Sequence, residues 1–486
     1  MVIKTSLDSL NTDIPRQNID LSYSIPNRIK VVVQSAIKRK HLLQSTIVKL
    51  NILTLHRLGD PAKTPRFLTK HVFFLKEENP NHNYFYHDTN FPIPKKLKSI
   101  NFHVIVLDVT FLCIRWSEKK LYEKIKSTYS FVRESEAIKI ALPQDEYDCH
   151  LILDQWMVDW NIDILYSVLP KNWDVLYPKY HNIGDIRLGF TGYLDDSLID
   201  YNCKPFLDRS IDVGYRARRL PPYFGRIGET KWKIGFEFKK HASNSDLFLD
   251  IHVGEEHTLN GNEWLEFINN SKFTLGSNSG SSLLDPNGCI QKKVKKYLNN
   301  HPEAEFDEVE AACFPGQDGL YEFTAISPRI LEASALQSGQ ILVEGEYSGI
   351  LTPWEHYLPL KPNAENFEDI HHEIKDTANS SRRISACREA ILDCPQLRYS
   401  SKANNIFDYL DEKSDEIRKI KPQRNISIIK ESYEIDMAHE MKITWFFNNI
   451  KKKVKDIPIF GAFIRMFFSR HVARLSILLN RLIKLH

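Results

Sequence analysis

Five side chains carry charge of the kind that holds a phosphorylated ligand: Arg216, Arg218, Lys231, Arg329 and Glu332. The last two stand in the stretch Ile326–Leu360, ISPRILEASALQSGQILVEGEYSGILTPWEHYLPL. Ser327 is a capping residue type, and Pro328 suits a first helical turn, where its missing N–H costs nothing. Gly339 reads as the stop, and Gln340–Val343 as the strand that follows. Arg329 and Glu332 therefore fall near the start of a helix. In open α/β sheets that end faces the ligand crevice, with free N–H groups and a positive dipole. An arginine there can hold a phosphate, and a carboxylate can accept from a ribose diol. A surface arginine and a dipole-satisfying glutamate are the plainer alternative.

Arg216 and Arg218 follow a strand-like run, Ser210–Tyr215, and Lys231 opens the next helical pattern, Lys231–Ala242. Together they suit a diphosphate. The small residues Ser277–Ser282, with Ser279 and Gly280 at their centre, follow another strand, Lys272–Gly276. They permit close approach of the backbone to a ligand, and Asp285 stands just beyond. On the acceptor side, Asp145 and Glu146 follow the strand Ala137–Leu142, where one of them can take a proton from a hydroxyl. The alternative for this pair is a helix cap. Arg115 and Trp116 are further candidates for that side.

Other signatures are missing. There is no GxxxxGK[ST], GxGxxG or HExxH, and Gly276–Gly280 places Asn278 where a nucleophile elbow needs serine. No DxD triplet suggests a metal-dependent sugar site, and His371-His372-Glu373 lacks a third ligand at suitable spacing. A donor with a diphosphate and a ribose on one side and a hydroxyl acceptor on the other would suit glycosyl transfer; no metal and no bound cofactor are then expected, with a nucleotide-diphosphate sugar as co-substrate.

Stepping along the chain, the positioning elements alternate. Ile29–Leu55 has apolar residues at helical spacing among Lys and Arg, and Lys70–Leu75 and Tyr84–His87 read as short strands. Phe102–Leu107, Ala137–Leu142, Ile162–Ser167 and Asp185–Thr191 read as strands, with helical patterns at Leu121–Glu136 and 151–158. A second alternating half begins at Ser210, after the polar bridge Asp195–Pro205. The expected organisation is an extension over 1–64, partly helical, and a Rossmann-like acceptor domain over 65–205. A Rossmann-like donor domain follows over 206–375, then a helical extension and linker over 376–425 and a basic amphipathic tail over 426–486. With 486 residues and 42% hydrophobic content, two packed cores are expected.

Seven scattered cysteines without a CxxC pair favour a reducing compartment. MVIKTSLDSLNTDIPRQN lacks an apolar signal core, and no long uncharged apolar run predicts a membrane span. The expected location is cytoplasmic, peripheral on the inner face of the cell membrane. From Met441 to His486, basic residues alternate with Trp445, Phe446, Phe460, Phe467 and other apolar side chains. That pattern suits an anionic membrane surface; a helix docked on the protein or a partner is the alternative, and the apolar content argues against nucleic acid.

On FHVIVLDVTFL, KIALPQDEY, TGYLD, DVGYRAR, GNEW, SGSSLLDPNG, EVEAACFPGQDG, SPRILEA and GEYSGILTPWEHYLPL, the chain resembles the GT-B glycosyltransferases of bacterial surface-polysaccharide loci, over roughly residues 85–375. The resemblance implies two facing Rossmann-like domains with a nucleotide-sugar donor in the C-terminal one. It also implies that Arg216 or Arg218, with Lys231, binds the diphosphate, and that Glu332 binds the ribose. The commoner pattern of the family has two glutamates eight residues apart; here Thr324 occupies the earlier place. The implied activity is transfer of a sugar to a lipid-linked or polysaccharide hydroxyl. A nucleotide-sugar epimerase and a non-catalytic scaffold of a polysaccharide assembly complex are the alternatives.

Overall fold

The structure, a computed structural model, describes residues 49–59 and 64–455, with side chains as far as Thr444. The first lobe is built on β1 (Asn51–His56), β2 (Asn83–Asp88), β3 (Val104–Leu107), β4 (Ile138–Ala141), β5 (Ile164–Ser167) and β6 (Asp185–Leu188). Its helices include α1 (Arg66–Glu78) and α2 (His150–Asp159). The second lobe carries β7 (Ile211–Ala217), α3 (Gly225–His241), β8 (Leu249–Val253), α4 (Asn262–Asn270) and β9 (Ser271–Gly276). It continues with β10 (Ser279–Ser281), α5 (Cys289–Asn300), β11 (Phe323–Ala325), α6 (Pro328–Ala335), β12 (Gly339–Val343) and β13 (Leu358–Leu360). Three long helices close the chain: α7 (Thr377–Leu392), α8 (Tyr399–Glu412) and α9 (Ile426–Lys455).

The first sheet runs β2-β1-β3-β4-β5-β6, and the main second sheet β13-β12-β9-β7-β8. All pairings in both are parallel. β10 and β11 form a small antiparallel pair of their own. This is the two-lobed, doubly wound α/β architecture expected from the alternating pattern. The inner strands β3, β4 and β5 are buried along their whole length, which is why they read as short, mainly apolar runs.

Two expectations near the start are corrected. Asn51–His56 is a central strand, not the end of a helix over Ile29–Leu55, whose earlier residues lie outside those described. Its polar N-terminal end is satisfied sideways: Asn51 N–H donates to His103 Nδ1 at 2.9 Å, and Asn83 Nδ2 to Asn51 Oδ1 at 2.9 Å. The first sheet therefore begins inside the stretch 1–64. Lys70–Leu75 is not a strand but the middle of α1, which opens directly after Pro65. Likewise Leu121–Glu136 is two helices, Lys119–Thr128 and Phe131–Glu134.

The lobes share packing. One apolar cluster includes Ile52, Val104 and Ile140 of the first sheet, Ile330 and Leu331 of α6, and Tyr399 and Ile406 of α8. The two chain crossings pair with each other, Leu194 N–H donating to the Leu397 carbonyl at 2.7 Å. A second backbone contact lies elsewhere: Cys149 N–H donates to Asp285 O at 2.7 Å, Asp285 N–H to Tyr147 O at 3.0 Å, and Leu151 N–H to Pro286 O at 3.1 Å.

α8 is tied to α1 by a buried polar chain. Lys402 Nζ donates to His71 Nε2 at 2.9 Å, and His71 Nδ1 donates to Asp108 Oδ2 at 2.8 Å. Burial pushes the Lys402 ammonium down to about 7 and lowers His71 as well. The stretch read as a linker is held too, since Asn101 N–H donates to Gln423 Oε1 at 3.0 Å. α9 then docks on the first lobe through Tyr433 and Met437, flanked by Ile426, Ile429 and Met441. Of the tail read from Met441 onward, Met441 alone is among these docking residues, and residues 456–486 lie outside those described. Among the described residues no helix is long and apolar enough to cross a membrane.

Asp108→Ala leaves the Lys402 cation buried without its counter-charge and is expected to cost about 3–5 kcal/mol. Replacing Asp108, His71 and Lys402 together with apolar residues of similar volume should cost much less. Urea unfolding followed by circular dichroism measures both.

Candidate active site

In a 2-1-3-4-5 parallel sheet the order reverses between the first and third strands, and ligands bind beyond the strand ends at that point. Here the place lies beyond β7 and β9. A cleft of about 470 Å³ opens there, lined by Arg216, Arg218, Lys231, Ser279, Arg329 and Glu332. Pro65–Leu68, at the start of α1, close it from the first lobe. Six of the sequence candidates thus meet in one crevice.

Their charges are not handled alike. Arg216 is neutralised: its guanidinium contacts the Asp250 carboxylate at 2.9 Å, donates to the Asp250 carbonyl at 2.8 Å, and lies 4.2 Å from the centroid of the Phe267 ring. It joins β7 to β8 and forms the back of the cleft. Lys231 and Arg329 instead bond to neutral acceptors, Ser279 Oγ at 3.0 Å and the Arg216 carbonyl at 2.7 Å. Arg218 is exposed at the mouth. Among the described residues no carboxylate pairs with any of these three. Burial, then the nearby Arg329 charge, pushes the Lys231 ammonium down to about 8, against the pull of Asp145. Asp145 of the first lobe therefore stands close enough to feel Lys231 across the cleft.

Glu332 occupies the second turn of α6. Helical side chains lean toward the N-terminus, so its carboxylate reaches back over the turn that faces the cleft. Trp264 Nε1 donates to Glu332 Oε2 at 2.7 Å. Burial raises the carboxyl, while Trp264, Arg329 and Arg66 oppose that rise. Ser327 sits at the helix start but makes no side-chain cap, so the first-turn N–H groups remain without that partner.

Four sequence candidates do other work. Asp285 caps α5, accepting from Cys289 N–H and Gln291 N–H at 2.9 Å each, and is 1% exposed. Gly280 is required by packing: with φ +141°, a Cβ there would lie 1.8 Å from the Phe323 carbonyl of β11. Glu146 is fully buried in the first lobe, where Ser167 Oγ and Val168 N–H donate to it. Burial pushes its carboxyl up to about 7, and no acceptor hydroxyl reaches it. Arg115 is buried as well, and spends its donors on the carbonyls of Leu112, Gln144, Asp145 and Asp148.

That brace shapes the turn that holds Asp145. The residue adopts φ +48°, a left-handed conformation unusual for aspartate, and accepts from Tyr147 Oη at 2.6 Å. Of the two acidic candidates, Asp145 is the one that remains partly exposed. Sequence reasoning missed two cleft residues. Arg66 reaches in from α1 while bonded to Asp195 Oδ2 at 2.7 Å and Ser197 Oγ at 2.9 Å. The helix-start signal Pro65-Arg66 marked its place. Trp264 carried no local signal, since its role depends on Glu332, 68 residues away. His371 pairs with Asp246 at 3.5 Å, and among the described residues no three His, Cys, Asp or Glu side chains form a metal-binding group.

No family model and no curated protein matches the sequence. Solved structures that resemble the fold include an alpha-glucosyltransferase in complex with UDP and a 13-mer DNA, 13% identical, covering 76% of this chain and 100% of that one at a TM-score of 0.40. Anabaena Alr3699/HepE in complex with UDP-glucose is 10% identical, covering 75% of this chain and 100% of its own, at a TM-score of 0.42. A glycosyltransferase from Rickettsia africae is 10% identical, covering 75% and 98%, at a TM-score of 0.41. At these values the likeness adds nothing to the reading of the site, which rests on its own geometry.

Lys231 carries its charge below about pH 8 and loses it above. The affinity of the full chain for inorganic pyrophosphate should therefore fall, by roughly tenfold, as pH rises through that value. Lys231→Met should bind weakly throughout and lose the step. Isothermal titration calorimetry between pH 7 and pH 9 reads both.

Proposed function

We propose that the chain is a glycosyltransferase that moves a sugar from a nucleotide-diphosphate donor to a hydroxyl of a lipid-linked or polysaccharide acceptor. One observation carries the reading: Arg218, Lys231 and Arg329, without carboxylate partners, meet beside the indole-held carboxylate of Glu332 at the ends of parallel strands. That charge pattern suits a diphosphate next to a ribose.

In this reading the second lobe binds the donor and the first the acceptor. The acceptor oxygen forms a bond to the anomeric carbon as the bond from that carbon to the diphosphate breaks. The acceptor's proton passes to Asp145, and the electron pair leaves on the diphosphate. Lys231, Arg218, Arg329 and the Arg329 backbone N–H in the first turn of α6 take up the charge that grows on the leaving group. Lys231 and Arg329 are already held by Ser279 and the Arg216 carbonyl, so these two need little reorganisation as charge develops. The Tyr147 hydroxyl donates to Asp145 Oδ1 and holds one carboxyl oxygen, which leaves the other for the acceptor's proton. The transfer is then inverting and needs no metal ion.

The basic tail, residues 441–486, brings the enzyme to an anionic membrane on its cytoplasmic side, where a lipid-linked acceptor is found. Its composition supports this. No nucleic-acid acceptor is proposed.

A thermal-shift screen against nucleotide sugars identifies the donor. Glu332→Ala should then weaken that donor by roughly tenfold. Asp145→Asn should leave donor affinity unchanged and lower transfer about 100-fold or more. Full transfer by Asp145→Asn would mean that the reaction does not use this base. Conversion of the donor without any acceptor would mean an epimerase, and no binding of any nucleotide sugar a scaffold.

A chain ending at Thr444 keeps every α9 residue seen to dock on the first lobe. It should lose the co-sedimentation with phosphatidylglycerol vesicles that the full chain shows, and high salt should weaken the full chain's binding. Equal pelleting of both would place membrane contact elsewhere.

A further inference from the structure

Trp264 is the third residue of α4, whose N-terminal turn opens on the cleft. Its bond to Glu332 Oε2 is the one hydrogen bond recorded for that carboxylate among the described residues. A glutamate side chain turns about three bonds, and a carboxylate without a partner samples many orientations. The indole N–H is a donor only. It can therefore hold one carboxylate oxygen while leaving the other for a ligand hydroxyl, and it offers no acceptor of its own to compete.

The same ring carries a cation. Trp264 stacks on Phe267 with centroids 5.6 Å apart and planes 28° from parallel. Arg329 Cζ lies 5.5 Å from the Trp264 centroid, while Arg216 Cζ lies 4.2 Å from that of Phe267. The order is cation, ring, ring, cation. Two guanidinium groups linked through the Arg216 carbonyl are thus each given the negative face of an aromatic ring.

We infer that Trp264 is a positioning residue: it presets the Glu332 carboxylate and the Arg329 guanidinium, so that a ribose diol and the adjoining phosphate meet both already in place. This rests on the nucleotide-sugar reading of the cleft. A consequence follows for pH. The charged and titratable groups facing Glu332 are Arg329 on its own helix, Arg66 on α1, Asp195 on the chain crossing and Tyr399 on α8. Burial raises the carboxyl, and the indole N–H is first among the influences that lower it. Without that N–H the carboxyl takes up its proton at higher pH and stops accepting from ribose.

Trp264→Phe keeps a ring against Phe267 and removes only the donor; Glu332→Gln is the companion variant. The full chain is titrated calorimetrically with UDP and GDP, and with their 2′-deoxy counterparts, at pH 6 and pH 8. The wild-type chain should prefer the ribonucleotide roughly tenfold. Trp264→Phe should bring that ratio toward one and lose more affinity at pH 6 than at pH 8, and Glu332→Gln should show the lost preference without the added pH dependence. A Trp264→Phe chain with the wild-type preference and the wild-type pH dependence overturns the inference. If neither diphosphate binds the wild-type chain, it is the nucleotide reading that fails. In that case the Trp264 assignment is decided by carbon-13 NMR of the Glu332 carboxyl: it stands if that carboxyl titrates at higher pH in Trp264→Phe, and falls if it does not.

Discussion

Like charges repel, and the second lobe is organised to hold cations together all the same. Lys231 and Arg329 feel each other's charge directly, and Arg218 shares their cleft. Among the described residues none of them is in an ion pair. Lys231 is fixed by a serine hydroxyl, and Arg329 by a backbone carbonyl and the face of an indole. Arg216, which does meet an acid, serves as wall for the others. An arrangement of this kind is unfavourable when empty and favourable once an anion enters, since the repulsion becomes attraction shared by three donors. A site that binds tightly needs that imbalance.

The first lobe solves the opposite problem. Its acids need to be kept apart in their roles, although Asp145 and Glu146 are neighbours in sequence. A turn braced by Arg115 at the Gln144, Asp145 and Asp148 carbonyls leaves one side chain partly exposed and buries the next in the core. The left-handed conformation of Asp145 is part of the same turn. Backbone shape, not side-chain chemistry, decides which of two similar residues stays at the surface.

Much of this was legible in the sequence, for a physical reason. Strands buried on both faces are mainly apolar, so Phe102–Leu107 and Ala137–Leu142 stood out, and polar residues just past such runs mark a ligand crevice. That logic found Arg216, Arg218, Lys231, Ser279, Arg329 and Glu332. It failed where a local pattern has two solutions. Asn51–His56 begins and ends in polar residues and follows a helical pattern, and only His103, Asn101 and Asn83, far along the chain, make a strand of it. Asp285 looked like a ligand residue and is a helix cap, because backbone N–H groups and phosphates attract the same kinds of residue to the same kinds of place. Gly280 looked like room for a ligand and is room for a carbonyl. Trp264 stood within GNEW, but nothing in that stretch says that its indole meets Glu332, 68 residues on.

The backbone bonds between Tyr147, Cys149 and Leu151 on one lobe and Asp285 and Pro286 on the other have a mechanical meaning. With the crossings at Leu194 and Leu397, the Thr191 hydroxyl on the Ile326 carbonyl and the apolar cluster common to both sheets, they tie the lobes at several separate places. Parting the lobes would break these bonds and wet that shared apolar surface in the same step. The seam is therefore as much a part of the fold as either sheet.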